Sequence, residues 1–161
     1  MNHIIIRKGH DIRIAGIPSK DVVSIPGSDT VAISPKTFRG VKPKRMVSEG
    51  DRVQIGSPLF FDKTKPEVKW ASPANGTVQT IQFGARHVIE KIEIKVEGSD
   101  SISGQTFLME QLESADRPTI LNRILEANLF PLIRQRPFNK VANPKDLPRD
   151  IFISAVNTAP L

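Results

Sequence analysis

Apolar and polar positions alternate most clearly near the middle of the chain, where Ile92, Ile94 and Val96 are separated by Glu93 and Lys95. That period of two belongs to a strand with one wet face. Val88 shares the inward parity and Glu90 breaks it. Shorter apolar runs bounded by glycine and proline predict strands at 3–7, 12–14, 31–33, 52–61, 67–70, 76–83 and 87–96. After Gly98 the pattern changes. A polar linker covers 99–105, which predicts a boundary near residue 102, and Ile120, Leu121, Ile124, Leu125 and Leu129 then recur at helical spacing. Asp116 and Pro118 suit the start of that helix, and Pro131 suits the first turn of a short second one, ended by Arg136-Pro137. Pro144 and Pro148 mark an extended connector. The run 151–156 (Ile-Phe-Ile-Ser-Ala-Val) reads as a buried strand that needs neighbours on both faces, so the chain is expected to be a fragment of a longer protein. The fold class expected is α+β, with a β-rich domain at 1–102. Residues 103–161 are expected to hold a linker, helices and the first strand of an α/β domain cut short.

The most informative segment runs from Val47 to Ile81. Gly50-Asp51 and Gly56 flank a very short strand holding Val53, Leu59 follows, and Pro73 and Gly76 bracket the turn into the next strand. Gly50, Gly56 and Gly76 are placed where tight turns call for positive φ. This spacing resembles the biotinyl/lipoyl-carrier fold, the barrel-sandwich hybrid. In such carriers a hairpin-tip lysine bears the cofactor. Counted from Gly50-Asp51 the slot falls on Pro66, and counted back from Pro73 and Gly76 it falls on Lys65, so the hairpin is a residue short. The flanks Asp62-Lys63-Thr64-Lys65-Pro66-Glu67 carry neither carrier pattern, and the expectation is a kept fold with its cofactor chemistry lost.

A wider resemblance accounts for that loss. The opening Ile6-Arg7-Lys8-Gly9-His10-Asp11-Ile12-Arg13-Ile14-Ala15-Gly16-Ile17-Pro18, the glycine block, the stretch Arg134-Gln135-Arg136-Pro137-Phe138-Asn139-Lys140, and the ending from Ile151 through Asn157-Thr158-Ala159-Pro160-Leu161 together resemble the A subunit of the Na+-translocating NADH:quinone oxidoreductase. His10 stands where that family usually has Leu, and Phe130 where it usually has Trp. The resemblance implies a membrane-peripheral subunit on the cytoplasmic side of the bacterial inner membrane. Its complex would oxidise NADH, reduce ubiquinone and export Na+ through flavins and iron–sulfur centres on other subunits. An assembly or quinone-region role is implied for this subunit, with no cofactor in this fragment and quinone-contacting residues unknown.

Composition narrows the alternatives. With 161 residues, 39% hydrophobic and 25% charged, the chain is long enough for a core. No apolar run approaches the ~18 residues of a spanning helix. The absence of cysteine excludes disulfides, thiolate zinc sites, cysteine-bound clusters and a cysteine nucleophile. His3, His10 and His87 lack carboxylates at metal-ligand spacing, and no serine elbow or phosphate-cradling loop is present, so neither a metal site nor a catalytic residue is expected. Trp70, the sole tryptophan, is expected in the core. The net charge of +6 points to acidic partners. Six cations (Lys36, Arg39, Lys42, Lys44, Arg45, Arg52) face only Glu49 and Asp51 over residues 36–52. This run reads either as a solvated loop or as a docking face for an acidic subunit or headgroups, with Lys42, Lys44 and Arg45 at its centre. Arg134 and Arg136 are the second docking candidates, or else arginines of a rigid turn paired with local carboxylates. The competing functions are a biotin/lipoyl-type carrier and a basic nucleic-acid binder. The latter is disfavoured because Phe38 alone interleaves the cations.

Overall fold

The computed structural model describes residues 5, 15, 16, 19–104 and 106–154. Nine strands are described: β1 (Thr30–Ile33), β2 (Pro43–Arg45), β3 (Arg52–Val53), β4 (Pro58–Asp62), β5 (Lys65–Ala71), β6 (Gly76–Phe83), β7 (Ile89–Val96), β8 (Arg134–Gln135) and β9 (Lys140–Val141). Helices α1 (Met109–Ser114) and α2 (Arg117–Glu126) lie between β7 and β8. One antiparallel sheet has the order β1-β7-β6-β3, a second has β2-β4-β5, and β8-β9 form a small hairpin. The first two enclose a core in which Leu59, Phe60, Val68, Val78, Ile92 and Ile94 are the largest fully buried side chains.

Local sequence explains the turns. Ser57 N donates to Gln54 O and Asp51 N to Ser48 O, so Gly56 and Gly50 each take the third place of a four-residue turn. Their φ values of +97° and +89° are those such a place demands and that a side chain resists. In each turn the residue after the glycine accepts from the first backbone N–H, through Asp51 Oδ2 to Ser48 N (2.7 Å) and Ser57 Oγ to Gln54 N (2.9 Å). Val47, Val53 and Leu59, set around these turns, are all buried. The run 52–61 is therefore two strands separated by a turn. At Gly76 the constraint is closeness: a Cβ there would lie 1.8 Å from Lys95 O.

The parity break at Glu90 is a register shift. Gln82 pairs with Lys91 and Phe83 with Ile89, leaving Glu90 as an extra residue in β7, while Gln79 is extra in β6 between the pairs Val78–Ile94 and Thr80–Glu93. Ile89 is buried in consequence, and Val88, placed inward by the simple alternation, is 43% exposed.

Asp116 caps α2, its Oδ1 accepting from Thr119 N at 3.0 Å, with Pro118 in the first turn. Leu121, Ile124 and Leu125 pack against the core, whereas Leu129 is 52% exposed. The second helix is a single 3-10 turn, Phe130–Leu132, because Ile133 is already extended and Arg134–Gln135 leave to pair with Lys140–Val141. Two further expectations are corrected. Pro43–Arg45, read as loop, is a strand held by pairing to β4. Ile151, Phe152 and Ile153, read as the start of a buried strand, are 77–87% exposed and outside any strand, since no described neighbour covers them. The strands expected at 3–7 and 12–14, Ile5 apart, and residues 155 and 156 of the last one, lie outside the described residues.

Candidate functional site

Sheet pairing sorts the side chains of β2, β4 and β5 into two faces. Trp70 and Phe60 are cross-strand partners on the core face, with ring centroids 4.9 Å apart and nearly parallel. Phe38 meets Trp70 edge-on at 5.2 Å. Trp70 is thus a packing residue, and these contacts offset the cost of its indole N–H, which has no hydrogen-bond partner among the described residues. On the opposite face Phe61 stands between Lys44 and Lys69 as a cross-strand neighbour of each. Lys44 Nζ lies 5.7 Å from the Phe61 ring centroid, a cation–π contact.

The charge on the two sheets is handled differently. The cations on the strands of the four-stranded sheet, and Lys36 beside it, are paired: Lys36 with Glu90, Lys91 with Glu93, Arg52 with Glu97 at 3.4 Å and Lys95 with Glu97 at 3.5 Å, whereas Arg86, in the turn between β6 and β7, forms no ion pair among the described residues. Around the three-stranded sheet, Lys42, Lys44, Arg45, Lys63 and Lys69 form no ion pair among the described residues. Among the described residues Arg45 donates only to Val47 O (3.4 Å) and Ser48 Oγ (3.2 Å). The expected cluster therefore divides: Lys36 and Arg52 are neutralised by carboxylates of the other sheet or its continuation, while Arg39, Lys42, Lys44 and Arg45 stay exposed and unpaired among the described residues, Arg45 lying across from Phe60 on the side of β2 opposite to Lys44. Lys63 and Lys69 join them. Sequence reasoning did not select these two, since cross-strand pairing and the hairpin turn bring them there over a distance of about twenty residues.

Arg134 and Arg136 stand on and just after β8. Arg134 caps the Phe38 ring at 5.1 Å and is half-buried, and Arg136 is exposed beside the turn of the β8–β9 hairpin. Neither pairs with a carboxylate among the described residues, so the turn-pairing reading of these arginines does not hold.

The hairpin where carriers hold their cofactor is tight and internally committed. Lys63 and Thr64 alone form its tip. Buried Asp62 accepts at one oxygen from Lys42 N (3.2 Å), Thr64 N (3.0 Å) and Thr64 Oγ1 (2.9 Å). Lys65 is half-buried and its ammonium donates to Val141 O at 3.0 Å and Ala142 O at 3.3 Å. A swinging arm needs a free, solvated lysine, and Lys65 is neither. Among the described residues no cluster of His, Asp or Glu could hold a metal ion, and no helix is long and apolar enough to cross a membrane. Two shallow hollows, of about 260 and 220 Å3, join no nucleophile to a base. A group of exposed, unpaired cations of this kind gives the surface around the three-stranded sheet a positive potential.

Comparison with known proteins agrees with this architecture. Residues 4–97 match the family model of the NqrA N-terminal barrel-sandwich hybrid domain, and residues 115–161 that of the NqrA second alpha/beta domain. The chain is 37% identical over 156 residues to the A subunit of the Na(+)-translocating NADH-quinone reductase of Saccharophagus degradans, and equally so to that of Yersinia pestis. The corresponding protein of Klebsiella pneumoniae is 35% identical over the same length. In each case the match covers 97% of this chain and 35% of the relative, so the chain spans about a third of the length of these proteins. Its strands form a barrel-sandwich hybrid followed by the opening of an α/β domain, and the chain belongs to the NqrA family.

Proposed function

We propose that this chain is a docking and assembly part of a Na+-translocating NADH:ubiquinone reductase, with no redox centre in its own residues, and that it joins the complex through the unpaired basic face. The relatives named for that reductase support the setting. The single observation that supports the mode of action is the charge asymmetry of the sandwich: Lys42, Lys44, Arg45, Lys63 and Lys69 lack carboxylate partners among the described residues, while the cations on the strands of the other sheet have them. A lone exposed cation contributes little to stability, but a group of unpaired ones raises encounter rate and orientation toward an acidic surface. In this reading the chain sits peripherally on the cytoplasmic side of the membrane and contributes to the quinone region by placing neighbouring subunits. Flavins, iron–sulfur centres, NADH oxidation and Na+ passage belong to those neighbours.

Replacing Lys42, Lys44 and Arg45 together by Glu in the complete complex tests this. The variant is expected to fold and to be lost from the membrane complex on purification, with retention falling further as salt rises and screens what attraction remains. Retention equal to that of the unmodified protein at low and high salt refutes the docking face.

A further inference from the structure

Where carriers of this fold extend a mobile lysine, this chain has a half-buried one whose ammonium is used within the protein. We infer that Lys65 is a clamp that fixes the segment 117–146 onto the β4–β5 hairpin, and so holds the sandwich in one orientation to the chain that follows it. Three observations converge on this. Lys65 Nζ donates to the carbonyls of Val141 and Ala142, more than seventy residues away in sequence, at 3.0 and 3.3 Å. At the opposite end of β4, Asn128 Nδ2 donates to Gly56 O at 3.1 Å. Between these two polar ties, Phe130 and Val141 are buried in the core, 4% and 3% exposed.

The chemistry favours a clamp over an incidental contact. Val141 is the last residue of β9, and a carbonyl beside a buried residue needs a donor. One ammonium supplies two such carbonyls, and a lysine carries three donors on a stem long enough to reach them. The segment is tied to itself as well: Arg117 Nη2 donates to Pro144 O (3.2 Å) and Asp146 O (2.9 Å), and Ala142 N to Ile133 O (3.0 Å). It therefore moves as a unit, gripped at Lys65 and Asn128. Losing the Lys65 ammonium releases one grip at the Val141 side of the core and leaves the β6–β7 ladder in place.

The test is hydrogen exchange on the whole 161-residue chain, comparing peptides over 133–142 with peptides over 89–96. Because the chain has no cysteine, Lys65→Cys provides a unique handle. Alkylated in the unfolded chain with 2-bromoethylamine it becomes a near copy of lysine, and with iodoethane it gains the same stem without the ammonium. After refolding, the ethyl form is expected to exchange on the order of tenfold faster over 133–142, as for loss of hydrogen bonds from a charged donor. Exchange over 89–96 should be unchanged, and the aminoethyl form should behave like the unmodified chain. Equal exchange of the two alkylated forms over 133–142 overturns the clamp. Equal acceleration over 89–96, or refolding of the aminoethyl form alone, also overturns it, because Lys65 would then serve the sandwich itself.

Discussion

Replacing Gly76 by alanine adds one carbon at the point where β3, β6 and β7 meet, as Gly76 pairs with Val53 on one side and Val96 on the other. That carbon would lie 1.8 Å from Lys95 O, 2.9 Å from Lys95 C and 3.1 Å from Glu97 N, all of them backbone atoms. Ordinary contact needs about 3.5 Å, so the two strands must part by well over an ångström. They are pinned beside the clash: Asn75 Nδ2 donates to Glu97 O at 2.7 Å and Glu97 N to Asn75 O at 2.9 Å. Overpacking costs about 1–3 kcal/mol, and each ladder bond that opens adds about 1 kcal/mol, so a loss of about 3–5 kcal/mol is expected. Gly50→Ala is the internal comparison. Its φ of +89° strains a side chain, but nothing among the described residues lies within 4 Å of the new carbon, and about 1–2 kcal/mol is expected. Urea titration followed by the fluorescence of Trp70, the sole tryptophan and buried beside Phe60, reads both on one scale. At this chain length the melting temperature should fall by roughly 10 °C for Gly76→Ala and about 3–6 °C for Gly50→Ala. Equal losses, or a larger one at Gly50, would refute the close approach of β6 to β7 at Lys95.

Two further outcomes are expected. Intact-mass spectrometry of the chain produced in cells with active biotin and lipoate ligases should give the unmodified mass, because Lys65 is engaged with Val141 and Ala142 and Lys63 lacks the flanks a ligase reads; an increment matching either cofactor refutes this. The Asp116 carboxyl is held below its ordinary value of 3.8, first by its hydrogen bond to Thr119. The cap's contribution is therefore fully present above that value and is lost as pH falls through the lowered one, so Thr119 amide protection should fall in acid, and in Asp116→Ala it should be low at every pH.

How much was legible followed the range of the forces involved. The six-residue spacing of Val47, Val53 and Leu59 around two glycines is local turn chemistry, and it could be read directly; so could the Asp116 cap and β6, whose ends coincide with Gly76 and Phe83. Val88 was misplaced because a bulge changes the phase of a strand, and single-strand alternation carries no record of the partner that requires it. Pro43-Lys44-Arg45 has no apolar alternation and becomes a strand only through Phe60, Phe61 and Asp62 of β4. Apolarity at Ile151, Phe152 and Ile153 was legible, but burial needs a neighbour as well as a tendency. At the candidate face, the cluster of cations could be read from the chain, yet the pairing of Lys36 with Glu90, which separates it from Lys42, depends on contacts more than fifty residues apart. The same holds for Lys65, whose partners lie in a segment that local pattern assigns to a different unit.

The two extra residues in the β6–β7 pair, Gln79 and Glu90, act on strand alignment as wards do in a lock. A uniform strand pair can slide by two residues and still turn the same side chains inward, which leaves misaligned hairpins close in energy to the native one. Here each strand changes phase once, at opposite ends of the ladder. Any slide sets both irregular positions against regular backbone and turns part of the set Val78, Ile81, Ile89, Ile92 and Ile94 outward. Only one alignment of the longest hairpin buries all five, so the sheet on which the rest of the sandwich is assembled has a single way to form.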